Sequence, residues 1–564
     1  MTFDIVVRGG YVADGAGNPL FRTDVGVCGD RIAALGRLPD GRTTVDASGR
    51  VVAPGFIDAH NHVDHGILRC PEARNFILQG FTTSVCGNCG LSLTPLSDEH
   101  REALARYMGP FVGAAPEYDW GWSDFASFAY RIEAVRPAQN LAILTGHGTL
   151  RAAVMGFEDR PPRERELDRM RELLEREFDQ GACGLSFGLA YPPGSYAGRE
   201  EIAALLSVAA RRGRRCAFHM ASESTTVTEC VDELLDLARE TGAAVEVSHH
   251  KAIGRANWGK IFETLRTMER ARAEGTDVLC DAYPYVAGST TIFSLLPTWA
   301  AEGGVEALLA RLRDGTQRSR IAEAILRDDV PGDNLMLLQG WGRVLIGSCP
   351  ADPACEGRNL ADILNRQTMD AESIGAFMDW LLRIGGTALM VLLDEQSEDD
   401  LMHVLGPPSH RAGIGRVGRP QRGGVPPPEG LRHDGALSGT HRPGPRAPEA
   451  GGGRAQDDLR PRAALRHSGP GSDCGGALRR PRRVRSRRVS GPRGLPRSAS
   501  SSLGPLRGDR QRGGRGVERG ADDEARGTRA ARLRLNAGGA VKGARRGSPG
   551  QGGGSASITT TAAA

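Results

Sequence analysis

The chain has 564 residues, of which 40% are hydrophobic and 25% charged, a composition typical of a soluble globular protein. No apolar run approaches the roughly 20 residues that a bilayer-spanning helix needs. The first residues, Met1-Thr-Phe-Asp-Ile-Val-Val-Arg, lack the pattern of a signal peptide, so we expect a cytoplasmic protein with reduced thiols.

The net charge of +4 conceals two unlike parts. Residues 401–564 carry 32 Lys and Arg against 11 Asp and Glu, whereas residues 1–400 are acidic overall. The last Phe, Trp or Tyr of the chain is Trp380. A folded region is therefore predicted up to about residue 405, followed by a tail of different composition.

Along the folded region, short strands are predicted first, because residues 3–10 and 24–36 alternate apolar and polar side chains around glycines. From residue 54 to 405, strand-like apolar runs alternate with amphipathic stretches, and this alternation predicts a parallel sheet with helical crossovers. At this length a (β/α)8 barrel fits well. A doubly wound open sheet is the main alternative, although no Gly-rich dinucleotide fingerprint opens a helix. The predicted strands are 82–86, 140–145, 184–188, 215–219, 244–249, 277–283 and 388–393, and the predicted helices are 164–178, 200–212 and 228–240.

A His-x-His pair follows the first strand of this alternating region. Side chains two apart on a strand point to the same side, so His60 and His62 would present two imidazoles together. Imidazole nitrogens are good zinc ligands. The alternative is a pair of surface histidines in a loop.

Further polar side chains follow other predicted strands: Cys89 of Cys86-Gly-Asn-Cys89, then His219, His249 and His250, and Asp281 with Tyr283. In a barrel, functional side chains lie at the carboxyl ends of the strands. A lone CxxC also fits a redox pair or half of a zinc knuckle, and Cys89 could be an inert buried thiol. Together these residues offer enough nitrogen and sulfur ligands for one zinc site or two adjacent ones.

Lys251 follows the two histidines and would place a positive charge beside such a site, where it could bind an anionic group of a substrate. The alternative is a solvated surface lysine. Function is favoured because lysine is rare in this chain, occurring only as Lys251, Lys260 and Lys542.

These motifs resemble the amidohydrolase superfamily and, within it, the N-acyl-D-amino-acid deacylases (D-aminoacylases), over about residues 3–405. The His-x-His is common to the superfamily, whereas the Gly-Asn-Cys-Gly, Tyr-Pro-Pro-Gly-Ser-Tyr and Ser-His-His-Lys blocks are more specific. The blocks that carry the resemblance are 54–64, 79–93, 184–196, 248–260 and 281–290.

The resemblance implies a zinc-dependent hydrolase that splits the amide of an N-acyl-D-amino acid into a D-amino acid and a carboxylate. It implies a TIM-like barrel with a small β-sandwich, the first half of which is residues 1–53. By position, Cys89, His219 and His249 would hold the tight zinc, while His60 and His62 would belong to a second, weaker metal position. Lys251, Tyr283 and Ser289 would bind the region of the substrate carboxylate.

The chain departs from the family where the general base is expected. The family places an Asp at the end of the eighth barrel strand, shortly after Leu405, but residues 406–419 contain no Asp. We therefore identify no catalytic base, and Asp394 is a weak substitute. Residues 406–564 are rich in Arg, Gly and Pro, which predicts disorder. A frameshift in a GC-rich coding sequence near codons 405–412 would explain the abrupt change, and it predicts little activity and poor folding.

Two other functions remain open from the sequence. A cyclic-amide hydrolase, similar to hydantoinases or dihydroorotases, is disfavoured because those enzymes usually bridge two metals with a carboxylated lysine, and no lysine precedes Lys251. A pseudoenzyme with an interaction tail is the second alternative. Nucleic acid could bind only through Arg-rich runs such as 480–488, and the tail lacks the aromatic residues that stack on single strands.

Overall fold

The computed structural model describes residues 2–113 and 117–406. The first part is a mixed five-stranded sheet in which β1 pairs antiparallel with β2 and parallel with both β4 and β5, while β3 pairs antiparallel with β2. Its strands are β1 (Ile5–Val12), β2 (Phe21–Cys28), β3 (Arg31–Gly36), β4 (Thr43–Asp46) and β5 (Val51–Val52). The β2–β3 hairpin turns in two residues, and Gly29 supplies the positive φ of 59° that such tight turns favour.

The two faces of the N-terminal sheet differ in burial. Val6 is fully buried on one face, whereas Ile32 and Leu35 on the other face are 72% and 55% exposed. Within the described residues, no second sheet packs on the exposed side. The predicted strands of residues 3–10 and 24–36 are present, and the assignment of residues 1–53 to half of a sandwich stays a prediction.

The second part is a parallel sheet. Its strands are β6 (Phe56–Asp58), β7 (Phe81–Cys86), β8 (Asn140–Ile143), β9 (Thr145–Gly146), β10 (Gly184–Gly188), β11 (Arg215–His219), β12 (Val245–Val247) and β13 (Val278–Cys280). They pair as β6-β7-β8 and as β9-β10-β11-β12-β13, with only Leu144 between β8 and β9. The sheet therefore has seven strand positions.

The parallel sheet curls so that residues following its first and last strands come into contact. His60, two residues after β6, lies 2.9 Å from the Asp281 carboxylate, directly after β13. No eighth parallel strand lies between β13 and β6 in the part of the chain that the structure describes. Phe56 and Ile57 on the edge strand β6 are 56% and 62% exposed. The predicted barrel is thus a curled sheet with an open edge at β6.

Helices cover the outside of this sheet: α1 (Arg74–Ile77), α2 (Arg101–Val112), α3 (Phe125–Val135), α4 (His147–Met155), α5 (Glu164–Gln180), α6 (Arg199–Arg211), α7 (Val227–Thr241) and α8 (Lys260–Ala273). The predicted helices correspond to α5, α6 and α7. Helix α5 shows why they form, since Met170, Leu174 and Phe178 recur every four residues and are buried, and Gly181 follows its end.

The third part is a three-stranded antiparallel sheet, and it corrects one predicted strand. Residues 388–393 were assigned to the parallel alternation, but β16 (Leu389–Leu392) pairs antiparallel with both β14 (Gly288–Thr291) and β15 (Val344–Ser348). A short apolar run carries no information on strand direction, so the pattern misled the assignment. The remaining helices are α9 (Val305–Arg313), α10 (Gly315–Leu326), α11 (Leu335–Gln339), α12 (Leu360–Leu364), α13 (Ala371–Arg383) and α14 (Glu398–Leu405).

A single large core joins the helices to the sheet, with Trp341, Phe377 and Trp380 among its largest buried side chains. Among the helices that the structure describes, none is long and apolar enough to cross a membrane.

Candidate metal centre

The carboxyl ends of the parallel strands bring five predicted ligands together. His60 and His62 follow β6, Cys89 follows β7, His219 ends β11 and His249 follows β12. Parallel strands end at the same edge of a sheet, which explains why residues far apart in sequence meet here.

Cys89 is common to two groups of potential metal ligands. One atom each of Cys89, His219 and His249 lie within 4.8 Å of one another, and so do one atom each of His60, His62 and Cys89. Cys89 Sγ lies 3.3 Å from His60 Nε2 and 3.5 Å from His249 Nε2. Burial by itself would raise the pKa of the Cys89 thiol, but the imidazolium charges of His60 and His249 outweigh it and hold that pKa well below its usual value.

The backbone around Cys89 explains the Gly-Asn-Cys-Gly sequence. Cys89 itself has a φ of 55° and His249 one of 35°, the left-handed region that residues with a side chain rarely adopt. A Cβ on Gly87 would lie 2.2 Å from the Leu144 carbonyl oxygen, and one on Gly90 would lie 2.7 Å from the Gly188 nitrogen. Strained backbone of this kind persists only where the surroundings enforce it, and it concentrates at functional sites.

Glu223 supports the ligand His249 and was missed by the sequence reasoning. Its carboxylate lies 2.9 Å from His249 Nδ1 and 2.8 Å from Lys251 Nζ. Burial would raise the pKa of Glu223, but Lys251, His219 and His249 hold it well below its usual value. Burial and Lys251 lower the pKa of His249, yet Glu223 and Cys89 raise it overall, to about 9. A carboxylate that accepts from Nδ1 leaves Nε2 free for a metal.

Asp281 orients His60 in the way that Glu223 orients His249, because Asp281 Oδ2 lies 2.9 Å from His60 Nδ1. Burial would raise the pKa of Asp281, but His60 lowers it to about 2. Each ligand group therefore contains a histidine that is oriented by a buried carboxylate.

The neighbour His250, also noted at this strand end, is directed elsewhere. Its Nε2 lies 2.7 Å from Thr264 Oγ1 on α8, and burial lowers its pKa to about 4.

Lys251 is not a free cation. It is 3% exposed, forms an ion pair with Glu223 and lies 5.4 Å from the centre of the Tyr283 ring. Tyr283 donates its hydroxyl hydrogen to Glu395 Oε2 over 2.8 Å, and Ser289 donates to the Met390 carbonyl over 3.1 Å. All three predicted substrate-binding residues line one cavity with Cys89, His219 and His249.

This cavity has a volume of about 340 Å³, and its walls away from the metal ligands are largely apolar. That size and character suit a small organic molecule with one polar end. The apolar lining includes Leu91, Phe111, Leu189, Phe293 and Leu392.

The acidic side chain that faces the cavity after β16 is Glu395 and not Asp394. Asp394, the weak substitute base, has a side chain that is 58% exposed and lies 4.0 Å from the Arg343 guanidinium. Its neighbour Glu395 is buried and lines the cavity. Burial raises the pKa of Glu395 despite the opposing charge of Lys251. An end-of-strand position alone cannot tell which of two adjacent residues faces inward.

Comparison with known proteins settles the family. A model described as the amidohydrolase family matches residues 43–337, slightly more than half of the chain. The chain belongs to the amidohydrolase family.

Three relatives of this amidohydrolase carry the names N-acyl-D-glutamate deacylase, D-aminoacylase and N-acyl-D-aspartate deacylase. An N-acyl-D-glutamate deacylase of Alcaligenes xylosoxydans xylosoxydans is 42% identical over 292 residues, which are 51% of this chain and 58% of the relative. The chain thus spans less than two thirds of the length of that curated relative.

Solved structures agree with the amidohydrolase fold. The N-acyl-D-glutamate deacylase of Bordetella bronchiseptica, complexed with zinc and a phosphonate inhibitor, is 32% identical with a TM-score of 0.58, over 72% of this chain and 75% of that one. A D-aminoacylase with a binuclear metal centre is 32% identical with a TM-score of 0.57, over 72% and 74% of the two chains. The predicted fold class and the predicted resemblance are confirmed.

The donor set of this amidohydrolase fits zinc on the structure's own evidence. One thiolate and two imidazoles converge in a buried position, which is a ligand set of zinc sites that keep a fourth position open for water or substrate. Three predictions concern residues outside the described ranges and stay predictions. They are the absence of the strand-eight Asp, the disorder of the Arg-rich tail, and nucleic-acid binding through the run 480–488.

Proposed function

We propose that this chain hydrolyses the amide bond of an N-acyl-D-amino acid at a zinc centre held by Cys89, His219 and His249, with His60 and His62 completing a weaker second position. The observation that carries the proposal is the convergence of these ligands with Glu223, Lys251 and Tyr283 in one cavity. The named deacylase relatives support the substrate class.

When bound, zinc would polarise the acyl carbonyl and lower the pKa of a water molecule toward neutrality. The chain's own residues orient the substrate. The Lys251 ammonium lines the cavity and would bind the substrate α-carboxylate in exchange for its 3.3 Å contact with the His249 carbonyl oxygen, while keeping its ion pair with Glu223. The Tyr283 hydroxyl and Ser289 would complete this recognition. The apolar wall would exclude water from the acyl group.

Hydrolysis also needs a group that takes a proton from water and passes it to the leaving nitrogen. Glu223 is poorly suited, because its low pKa and its ion pair with Lys251 keep it ionised. We assign this role to no described residue. A second candidate function therefore stands beside the first: a pseudoenzyme that binds metal and N-acyl-D-amino acids without turnover. The open edge of the parallel sheet at β6 favours it.

A cyclic-amide hydrolase is less well supported. The described residues contain two lysines, and neither is placed to bridge metals. Lys251 pairs with Glu223, and Lys260 donates to the Ser224 and Thr225 carbonyls. Cys89 occupies the position shared by both ligand groups.

The test uses the full chain loaded with zinc and a panel of N-acetyl-D-amino acids, with the L-enantiomers and dihydrouracil as controls. Release of free amine from the N-acetyl compounds is measured by derivatisation, ring opening of dihydrouracil by the loss of its ultraviolet absorption, and binding by calorimetry. Release of amine from the D-compounds alone, lost in Cys89→Ala, supports the deacylase. Binding of the D-compounds without release supports the pseudoenzyme. Two outcomes contradict both proposals: the D-compounds are neither bound nor hydrolysed, or dihydrouracil alone is opened.

A further inference from the structure

A third cluster of potential ligands lies beside the two that contain Cys89. One atom each of His62, Asp64 and His65 lie within 4.8 Å of one another. Asp64 and His65 belong to a short turn that directly follows His62. They are buried, with exposures of 0% and 3%.

The Asp64 carboxylate is unusual because no nitrogen or oxygen donor satisfies either of its oxygens, and the Cys86 thiol beside it is only a weak donor. Buried carboxylates elsewhere in the centre have cationic or donor partners, as Glu223 has Lys251 and Asp281 has His60. The closest basic nitrogen is His65 Nε2, 3.7 Å from Asp64 Oδ2. An ionised group buried without a partner is strongly unfavourable, so the site calls for a positive charge.

The two histidines offer nitrogens of the right kind. His65 Nε2 lies 2.8 Å from the Leu91 carbonyl, which can only accept, so Nε2 carries the hydrogen. In the neutral ring this leaves a lone pair on His65 Nδ1, which is buried and has no partner. His62 Nδ1 is likewise buried without a partner. Four potential ligand atoms of this cluster, both Asp64 oxygens and the two Nδ1 atoms, are therefore buried without a nitrogen or oxygen partner.

We propose that His62, Asp64 and His65 form a further site for a divalent transition metal, which lies beside the two ligand groups that contain Cys89 and shares His62 with one of them. Two imidazoles and one carboxylate form a ligand set that zinc, cobalt and iron accept, and the carboxylate would neutralise part of the cation's charge. Ions would reach the site through the cavity, because His62 lines it and the His65 ring packs on Phe111, another lining residue, with centroids 5.3 Å apart.

A competing role is that Asp64 only orients His62 for the Cys89 sites, as outer carboxylates often do. The two roles differ in whether an ion depends on His65. If Asp64 merely orients His62, any ion that remains after Cys89 is removed is held by the other histidines of the centre and does not depend on His65. If the cluster is itself a site, one ion remains and is lost with His65.

The test measures Co²⁺ binding to the full-length chain by equilibrium dialysis with elemental analysis. Absorption from cobalt bound to thiolate identifies the Cys89 sites separately. We expect Cys89→Ala to lose that absorption but keep about one Co²⁺ per chain. We expect the double variants Cys89→Ala with His65→Gln, and Cys89→Ala with Asp64→Asn, to bind that ion at least about tenfold more weakly. Cys89→Ala with His250→Gln is the matched control, since His250 is buried nearby but faces α8.

Far-UV circular dichroism and thermal melting show whether each variant is folded, and Co²⁺ should raise the melting temperature of Cys89→Ala but not of its two double variants. If Cys89→Ala does not fold, wild type is compared with His65→Gln, where we expect one ion fewer and an unchanged cobalt–thiolate absorption. No Co²⁺ on folded Cys89→Ala, or equal binding with and without His65, overturns the proposal.

Discussion

The carboxyl end of the parallel sheet and the N-terminal sheet differ in how well their side chains are satisfied. Buried charges are paired at the first, whereas apolar side chains remain exposed on the second. At the first, His60, His249 and Lys251 each face a buried carboxylate within 2.9 Å. At the second, Ile32 and Leu35 of one five-stranded sheet face solvent, as Ile57 does on the edge strand β6. The potential metal ligands are positioned by the ends of strands that the structure describes. Burial of the exposed apolar faces, in contrast, would need another layer of structure packed against them. Thus a cluster of potential metal ligands can be well ordered in a fold whose edges remain exposed.

The largest effect should come from breaking the metal centre at its shared ligand. Cys89→Ala removes the sulfur common to both ligand groups. We expect zinc affinity to fall by more than the roughly 100-fold that loss of an outer partner can cost. Zinc content after dialysis against a graded chelator measures it. Cys216→Ala, a buried thiol on β11, is the matched control and should keep the metal. Equal zinc in both variants would contradict the ligand assignment.

The second prediction concerns the buried ion pair between Glu223 and Lys251. Glu223→Gln leaves Lys251 buried without its anion, and breaking a buried pair in this way costs roughly 3–5 kcal/mol. Urea unfolding of the metal-free chain measures the free energy of unfolding. Adding Lys251→Met, which removes the unpaired charge, should restore most of the loss. A cost below about 1 kcal/mol for Glu223→Gln would show that the pair is not buried in solution.

A buried carboxyl outside the centre sharpens the contrast, because no cation compensates it. Glu177 accepts hydrogen bonds from Thr94 and from the Phe125 amide, and burial raises its pKa to about 7 from 4.5. The folded state therefore holds this proton more tightly than the unfolded state. Its contribution to stability is complete below pH 4.5 and is lost as the pH rises to about 7, a change of about 3 kcal/mol.

The variant Glu177→Gln cannot titrate, so the difference between its free energy of unfolding and that of wild type should change across this pH window. Thermal unfolding at pH 5 and pH 8 measures the difference. An identical pH dependence of the two proteins would refute the raised pKa. Glu175→Gln, on the exposed side of the same helix, is the control.

The smallest effect is expected on the open face of the N-terminal sheet. Ile32→Lys replaces a side chain that is 72% exposed, and such surface changes usually stay within about 0.5 kcal/mol. Val6→Ala, on the buried side of the same sheet, should cost about 2 kcal/mol. Chemical denaturation of both variants measures the contrast. A cost for Ile32→Lys as large as that for Val6→Ala would mean that another layer covers this face in solution.

Much of the architecture was predictable because it depends on local patterns. Alternating strand-like and amphipathic runs predicted the parallel sheet and helices α5, α6 and α7. The rule that parallel strands end at one edge predicted that His60, Cys89 and His249 would meet. Their assignment as zinc ligands remains a proposal.

Other features could not be predicted from patterns. The direction of the strand at residues 389–392 depends on its pairing partners, which the apolar run does not encode. Glu223 was recognised through its distance to Lys251 in the structure. Its position four residues after His219, beyond the same strand end, was a sequence signal that could have pointed to it. Asp394 and Glu395 are adjacent acidic residues, and only packing decides that Glu395 faces the cavity.

The amino-acid sequence by itself determined which chemical groups are available and where strands end, because residue type and hydrophobic period are local properties. The tertiary structure decided which charges pair and which remain without a partner. Lys251 is neutralised by Glu223, whereas Asp64 lies buried with no nitrogen or oxygen donor to either oxygen. Such pairing depends on distances of a few ångströms between distant segments, and electrostatic energies at buried positions change steeply over those distances.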